Sequence, residues 1–300
     1  MPGFSDFQAQ AALNDALGPI PSSTAYSRFL ALFTTAPTGG SGSGGVEVSA
    51  SGYARIQIAG RLTAGAGSSG TTVNLGSSAP AWLTALGTNG SGVNVYDATT
   101  STQIGTVSTI SGTTVTLTAT AGGTVSSGDA LQFSAFPQAA ASSGTEPSIT
   151  PVSGTSGAQI SFAAFAASSG TITITALGVY DAATGGNLRA WDYLNLSGAG
   201  KWSPFACSSA SPGVLTVTDQ SFANGTSVVV AVKFGSLPSL ASGSWSGLLT
   251  VGGVSGSTFN VGLNTTSAGD GMIRPVTPLI VGLQPTTPYF PAGTLTFSLE

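Results

Sequence analysis

The chain has 300 residues, of which 7 are Lys or Arg, 11 are Asp or Glu and none is His; its net charge is −4. The charged fraction is 6%, about a quarter of the usual globular share. Without histidine the chain cannot form a Ser-His-Asp triad or a His-ligated zinc site, and its single Cys207 has no intrachain disulfide partner. Seven scattered basic residues argue against nucleic-acid binding, which depends on neutralising phosphates. We therefore expect a non-enzymatic protein with no cofactor.

A short N-terminal helix is the first predicted element. Ser5 can cap it, Gln8 follows three residues later as in a capping box, and Gly18 with the prolines after it ends the helix. Residues 1–18 contain two Asp and no basic residue, so they do not resemble a signal peptide. No apolar run approaches the roughly 20 residues that span a bilayer. The sequence thus predicts neither export nor membrane insertion.

Beyond Gly45 the apolar residues follow the two-residue period of β-strands. Thr fills many of the intervening positions, where its branched Cβ suits an exposed pleat. Clusters of Gly, Asn, Asp and Pro separate the short runs. Clear examples of alternation are Ile56 with Ile58, and Ile172 with Ile174. The pattern predicts an all-β protein of sandwich or barrel architecture.

Two pairs of short segments resemble each other. Residues 70–75 (GTTVNL) resemble 112–117 (GTTVTL), and residues 95–99 (VYDAT) resemble 179–184 (VYDAAT). In the second pair a strand ends in an aromatic residue, and an Asp then opens a turn by accepting backbone N–H bonds. Because the spacings are irregular, the echoes indicate recurrent hairpins and not a solenoid.

Six segments in a fixed order carry a resemblance to a known family. They are residues 28–37 (RFLALFTTAP), 45–49, 52–55 (GYAR), 160–162, 174–188 and 292–299 (AGTLTFSL). The chain resembles the small virion structural proteins of tailed bacteriophages, the tail fibre or capsid-decoration type. The resemblance implies a parent β-sandwich with a short N-terminal helix, made of residues 1–60, 139–190 and 272–300.

We predict that the remaining residues form two inserted modules, each a small β-sandwich or barrel. The first covers residues 61–138 and the second covers residues 191–271, and the second is similar to a β module found repeatedly in phage fibre-like proteins. Loops tolerate such insertions because closing a longer loop costs little entropy. We expect the parent domain to anchor to the particle and the two inserts to project.

Glu47, Tyr53 and Arg55 form the first candidate interface site, because Arg55 is one of only seven basic residues. One interpretation is an ion pair between subunits, with Glu47 as the partner of Arg55. The alternative is a local strand-pair salt bridge, worth less than about 1 kcal/mol if it is exposed.

Arg189, Trp191 and Asp192 stand where the second insert begins and form a second candidate site. One hypothesis is a hinge held by a cation–π contact and a salt bridge. The alternative is a packed domain junction.

Trp82, Trp202 and Trp245 lie in the two inserts and are candidate contacts for a host-surface glycan. Aromatic side chains on β modules can stack on sugar rings or anchor protein interfaces. The alternative is that they belong to the cores of the inserts.

We interpret four of the Asp residues as turn residues. Each of Asp97, Asp129, Asp181 and Asp270 stands beside Gly or Ala in a turn-like string, which is typical of Asx turns and not of a catalytic pair. A calcium ion held by loop carbonyls and one or two of these residues is an alternative, but no D-x-D-x-D spacing supports it.

Taken together, the sequence predicts a structural component exposed on the head or tail surface of a tailed-phage virion and made in the host cytoplasm. Its expected partners are further copies of itself, first of all as a homotrimer, and capsid or tail proteins. The alternative function is a glycan-binding adhesin or receptor-binding module. A polysaccharide depolymerase is disfavoured, because neither paired carboxylates nor a β-helix repeat is present.

Overall fold

The computed structural model describes residues 26–37, 44–137, 152–194, 202–232 and 237–299. The predicted N-terminal helix lies outside these residues. Strands make up nearly all of the regular secondary structure of the described residues, so the all-β prediction is confirmed, while the sandwich arrangement stays a prediction. No helix among the described residues is long and apolar enough to cross a membrane.

The strands and the single described helix are short. In chain order they are β1 (Ser27–Thr35), β2 (Val46–Glu47), β3 (Ile56–Thr63), β4 (Thr72–Asn74), α1 (Ala81–Thr84), β5 (Asn94–Asp97), β6 (Thr102–Ser111), β7 (Thr114–Leu117), β8 (Ala130–Ser134), β9 (Val152–Thr155), β10 (Ile160–Ser161) and β11 (Ile172–Ile174). They continue with β12 (Ala176–Tyr180), β13 (Leu188–Tyr193), β14 (Ser203–Cys207), β15 (Leu215–Thr216), β16 (Ser227–Ala231), β17 (Leu249–Thr250), β18 (Gly252–Ser255), β19 (Thr258–Asn260), β20 (Gly269–Pro275), β21 (Leu279–Val281), β22 (Tyr289–Phe290) and β23 (Thr296–Leu299).

The larger sheet has ten strands in the order β13-β12-β1-β3-β8-β5-β6-β7-β4, with β2 paired to β1. Strand β3 connects its two halves. Ile56, at the start of β3, lies opposite Leu30 of β1, whereas Leu62 near its end lies opposite Leu131 of β8. The strands of residues 61–138 therefore continue the sheet that β1, β12 and β13 begin.

The first pair of similar segments forms two neighbouring strands of the sheet. Strands β4 and β7 pair antiparallel, and Val73 lies opposite Val115. Gly70 and Gly112 precede the two strands with nearly equal positive φ angles of +58° and +59°. Both valines are fully buried, so the repeated pattern supplies matching apolar residues to the same core.

Strand β1 is buried on both faces, which explains its unbroken apolar run. Leu30 and Leu32 face the large core, while Ala31 and Phe33 face a smaller cluster with Ala176. A strand that is covered on both sides has no polar face and so loses the alternating pattern. Trp191 and Tyr193 of β13 pack against the smaller cluster.

A long irregular ribbon covers the large core. It consists of three antiparallel pairs, β9 with β23, β10 with β22, and β11 with β21, and a bridge between Phe165 and Thr286 continues it. Its buried aromatic side chains, Phe162, Phe165 and Phe290, belong to the same core as the ten-stranded sheet.

The second sheet has seven strands in the order β17-β16-β20-β14-β15-β19-β18 and encloses its own core around Phe205, Phe259 and Ile273. The chain leaves the first sheet at Leu194, and on its return the N–H of Thr277 bonds to the carbonyl of Leu194 at 3.1 Å. The division into a parent domain and two inserts stays a prediction.

Helix α1 is an element that the sequence pattern did not predict. Pro80, in an extended conformation, precedes it, and Gly87 with φ +56° follows it. Leu83 and Leu86 are fully buried, so tertiary packing stabilises a helix too short to be stable alone.

Gly92 and Gly157 bring two chain segments into close contact, which gives a direct test of the fold. Gly92 has φ +84°, and a Cβ there would overlap the carbonyl oxygen of Gly157. Gly128 has φ +95° but no atom within 4 Å of such a Cβ. Gly128→Ala should lower the free energy of unfolding by about 1–2 kcal/mol, the cost of the backbone conformation alone. Gly92→Ala should lower it at least twice as much.

Urea unfolding of both variants beside the wild type measures the difference. Equal losses for Gly92→Ala and Gly128→Ala would show that the two segments do not approach each other as described.

Candidate functional site

The first candidate site is a cluster around Arg55. Arg55 and Glu47 form a bidentate pair, with Nε to Oε1 at 2.9 Å and Nη2 to Oε2 at 2.7 Å. The side chain of Arg55 is only 9% exposed and that of Glu47 27%. A bidentate guanidinium–carboxylate pair fixes orientation as well as charge.

Arg55 also connects the residues before β3 to the turn between β12 and β13. Its Nη1 donates to the carbonyls of Ala182 at 3.0 Å and Gly185 at 2.6 Å. Its guanidinium carbon lies 3.5 Å from the centre of the Tyr180 ring, which is a cation–π contact. The side chain of Arg55 thus links Glu47 of β2, Tyr180 of β12 and the turn that follows β12.

Tyr53 completes the cluster from the core side. Its hydroxyl donates to Glu47 Oε1 at 2.9 Å and accepts the N–H of Leu32 at 2.9 Å. Burial raises the pKa of Tyr53 well above its usual value, and the Glu47 charge adds to the effect. The phenol therefore stays protonated and keeps donating to Glu47.

The surroundings of Arg55 also favour the charged form of its guanidinium group. Burial works against it, but the hydrogen bonds and the charge of Glu47 outweigh burial and raise the pKa of Arg55. The Arg55–Glu47 ion pair lies within one chain, as in the interpretation of a local salt bridge between strands. It is nevertheless far less exposed than a typical surface salt bridge. An additional role of these residues between subunits stays a prediction.

The second candidate site lies where the chain passes between the two sheets. Asp192 on β13 pairs with Arg274 on β20, and its Oδ1 also accepts the N–H of Tyr193 at 2.7 Å. Arg274 lies over the ring of Trp202 at 5.0 Å. The structure therefore contains a salt bridge and a cation–π contact at this junction.

The aromatic residues of β13 extend this junction. The rings of Trp191 and Tyr193 meet edge to face with their centres 5.5 Å apart. Burial raises the pKa of Tyr193, while the Arg274 charge lowers it.

Arg189 is separate from the junction. It pairs with Asp181 at 2.8 Å inside the turn that joins β12 to β13. Asp181 also accepts hydrogen bonds from the backbone N–H and the side-chain amide of Asn187, at 2.7 and 2.9 Å. These bonds lower the pKa of Asp181 to about 2, with the Arg189 contribution second to that of Asn187.

The three candidate tryptophans have different surroundings. Trp245 is 8% exposed, and its Nε1 donates to the carbonyl of Pro238 at 2.7 Å, so it belongs to the second core. Trp82 is half-buried and packs over Gly60 against the first core. Trp202 is half-buried at the junction. The structure thus leaves Trp245 little ring surface for a sugar, and glycan contact by any of the three stays a prediction.

Asp97, Asp129 and Asp181 hold turns as predicted, whereas Asp270 lies within strand β20, so its assignment to a turn is wrong. Asp97 is fully buried and accepts the N–H of Thr99 at 2.8 Å and the hydroxyl of Thr100 at 2.7 Å. Asp129 accepts the N–H of Ser126 at 2.6 Å. These bonds confirm that both Asp residues stabilise turns. Among the described residues no group of three or more His, Cys, Asp or Glu could hold a metal ion.

Sequence reasoning missed Arg274, Tyr180 and Tyr193 as members of the two sites. Two signals were available. Arg274 is one of seven basic residues, and Tyr180 directly precedes Asp181 in the repeated Val-Tyr-Asp pattern. What the sequence could not give is the pairing of β14 with β20 and of β12 with β13, which brings these residues to the sites.

No protein-family model, curated protein or solved structure matches the chain.

The bridging hydroxyl of Tyr53 can be tested by removing one atom. Tyr53→Phe leaves the buried N–H of Leu32 without its acceptor and takes a donor from Glu47, so it should lower the free energy of unfolding by about 1–3 kcal/mol. Thr118→Val is the control, since it also removes one hydroxyl but from an exposed side chain. Chemical unfolding measures both, and a loss for Tyr53→Phe no larger than for Thr118→Val would contradict the bridge.

The depressed pKa of Asp181 gives a pH-dependent test. Above its ordinary pKa of 3.8 the carboxylate is charged in both states, and its bonds stabilise the folded state in full. As the pH falls from about 4 to about 2, the unfolded state takes up the proton first and this stabilisation is lost.

Melting temperatures of wild type and Asp181→Asn between pH 2 and 7 should therefore differ most above pH 4 and converge near pH 2. Asp270→Asn, at an exposed residue, is the control. A difference for Asp181→Asn that is constant with pH would contradict the assignment.

Proposed function

We propose that the protein is a non-enzymatic structural component of a tailed-phage virion, a surface-exposed fibre or capsid-decoration protein. It assembles with itself as a trimer and with head or tail proteins. The resemblance of six ordered segments to such proteins supplies the class of particle.

The observation that carries the assembly role is a set of exposed apolar side chains on one segment. Ile280 on β21, Leu283 in the segment after it and Tyr289 on β22 are 62%, 53% and 56% exposed, and all three lie within residues 279–290. Single exposed apolar residues are ordinary, but a series along one segment is typical of an interaction surface. With few charges nearby, covering this segment requires little desolvation of ions.

The use of the charged side chains supports a structural role as well. Three of the described arginines, Arg55, Arg189 and Arg274, are each paired with a carboxylate of the same chain. Asp97 and Asp129 hold turns. These charged groups stabilise the fold, which supports a structural role.

The oligomeric state tests the assembly role. The wild-type chain should measure about three times its 29.3 kDa mass by mass photometry and by sedimentation at micromolar concentration. The double variant Ile280→Asp with Leu283→Asp should measure one chain mass, because two carboxylates would have to be buried in the interface.

Val214→Asp is the matched control, since Val214 is 40% exposed but lies beside β15 of the second sheet. It should leave the trimer intact. A wild-type chain that stays monomeric at ten micromolar, or a trimer that tolerates the double variant, would refute the proposed assembly surface.

A further inference from the structure

A cavity of about 770 Å³ opens between the two sheets, next to the junction of Asp192 and Arg274. On one side it is lined by the end of β1 and by β13, and on the other by β16 and the residues before β17. Its volume lies within the usual range for a small-ligand site, about 300–1,000 Å³. We call it the junction cleft.

Aromatic rings line the junction cleft from both sides. Trp191 and Tyr193 come from the first sheet, and Trp202 comes from the start of the second. All three are half-buried, so their rings are held in place but keep part of their surface open. Rigid, partly exposed rings of this kind are suited to stacking on an apolar ligand face.

Polar groups lie beside these rings. The side chain of Asp192 is 47% exposed; its Oδ1 is engaged by Arg274, and its Oδ2 accepts no hydrogen bond within the described part of the chain. Thr34, Thr35 and Ser246 also line the cleft; the hydroxyl of Thr34 donates to the carbonyl of Val46 at 3.1 Å, and that of Ser246 lies 2.7 Å from the hydroxyl of Ser244. The cleft thus presents aromatic faces together with acceptors and donors for hydroxyl groups.

The electrostatics select among ligand classes. The Arg274–Asp192 pair cancels its own charge, so among the cleft residues that the structure describes neither an anion nor a cation finds an uncompensated partner. A phosphate would meet the exposed Asp192 oxygen. A quaternary ammonium group would meet the Arg274 charge, which already lies over Trp202.

A proline-rich peptide can also dock on aromatic grooves, but its backbone offers carbonyl acceptors and few donors. Such a peptide would use the aromatic rings of the cleft but offers few donors to the carboxylate of Asp192, whose side chain is 47% exposed. A sugar ring has an apolar face for stacking and hydroxyls that both donate and accept. Of these ligand classes, the saccharide matches every group that the cleft presents.

We propose that the junction cleft binds a short segment of a neutral polysaccharide, which stacks on Trp191, Tyr193 and Trp202 and hydrogen-bonds to Asp192. The residues differ from those that the sequence suggested for glycan contact, since only Trp202 is shared. The inference goes beyond the proposed assembly role and is independent of it, because a single chain forms the whole cleft.

The test uses the full chain and an array of neutral oligosaccharides of the gluco-, galacto-, manno- and N-acetylglucosamine series, each six units long. Acidic oligosaccharides and a proline decamer are included as competing classes. At least one neutral hexasaccharide should bind, with a matching change in tryptophan fluorescence on titration. Binding should weaken at least tenfold in Trp202→Ala and in Ser246→Trp, which places a large ring in the cleft from an exposed position.

Ser257→Trp is the matched control for Ser246→Trp, since Ser257 lies in the exposed turn between β18 and β19. It should bind like the wild type. Ser246→Trp keeps the test valid if Trp202→Ala does not fold. The proposal is overturned if no neutral hexasaccharide binds at 10 mM, if binding survives Ser246→Trp, or if the proline decamer or an acidic sugar binds more tightly.

Discussion

The chain has very few charged side chains, and this shortage determines how the structure is held together. With 18 such residues in 300, the chain is held by the backbone hydrogen bonds of its sheets and by buried branched and aromatic side chains. Both cores show this, because the sheet of ten strands and the sheet of seven are each closed over an apolar cluster. A surface of Thr, Ser, Gly and exposed apolar residues follows, and it offers little like-charge repulsion against association.

The few charges that remain are concentrated at places where the backbone alone cannot fix the geometry. Arg55 ties the edge of the sheet to the turn after β12, and Arg274 ties β20 to β13 across the junction. Each of these guanidinium groups also lies over an aromatic ring, Tyr180 in one case and Trp202 in the other. An arginine that pairs with a carboxylate and lies over an aromatic ring therefore occurs twice in the fold. At the junction of the two sheets, an aromatic cleft lies beside this arrangement.

The sequence predicted local structure well and long-range pairing poorly. Alternation located β3 and β11, and the repeated Val-Tyr-Asp pattern located turns held by Asp97 and Asp181. The sequence predicts residues 61–138 as an inserted module, and the structure adds that their strands share a sheet and a core with β1. Such pairing depends on contacts between residues far apart in the chain, which a two-residue period does not encode. Helix α1 was missed for the same reason, because buried leucines and not local propensity stabilise it.

We propose that this chain is a building block of a particle and not a catalyst. The decisive test is immunogold labelling of intact tailed-phage particles with antibodies raised against the purified chain. Gold is expected on the outer surface of most particles, at one fixed location on head or tail. Gold confined to free protein in the lysate, with particles unlabelled and the chain missing from their protein content, would contradict it.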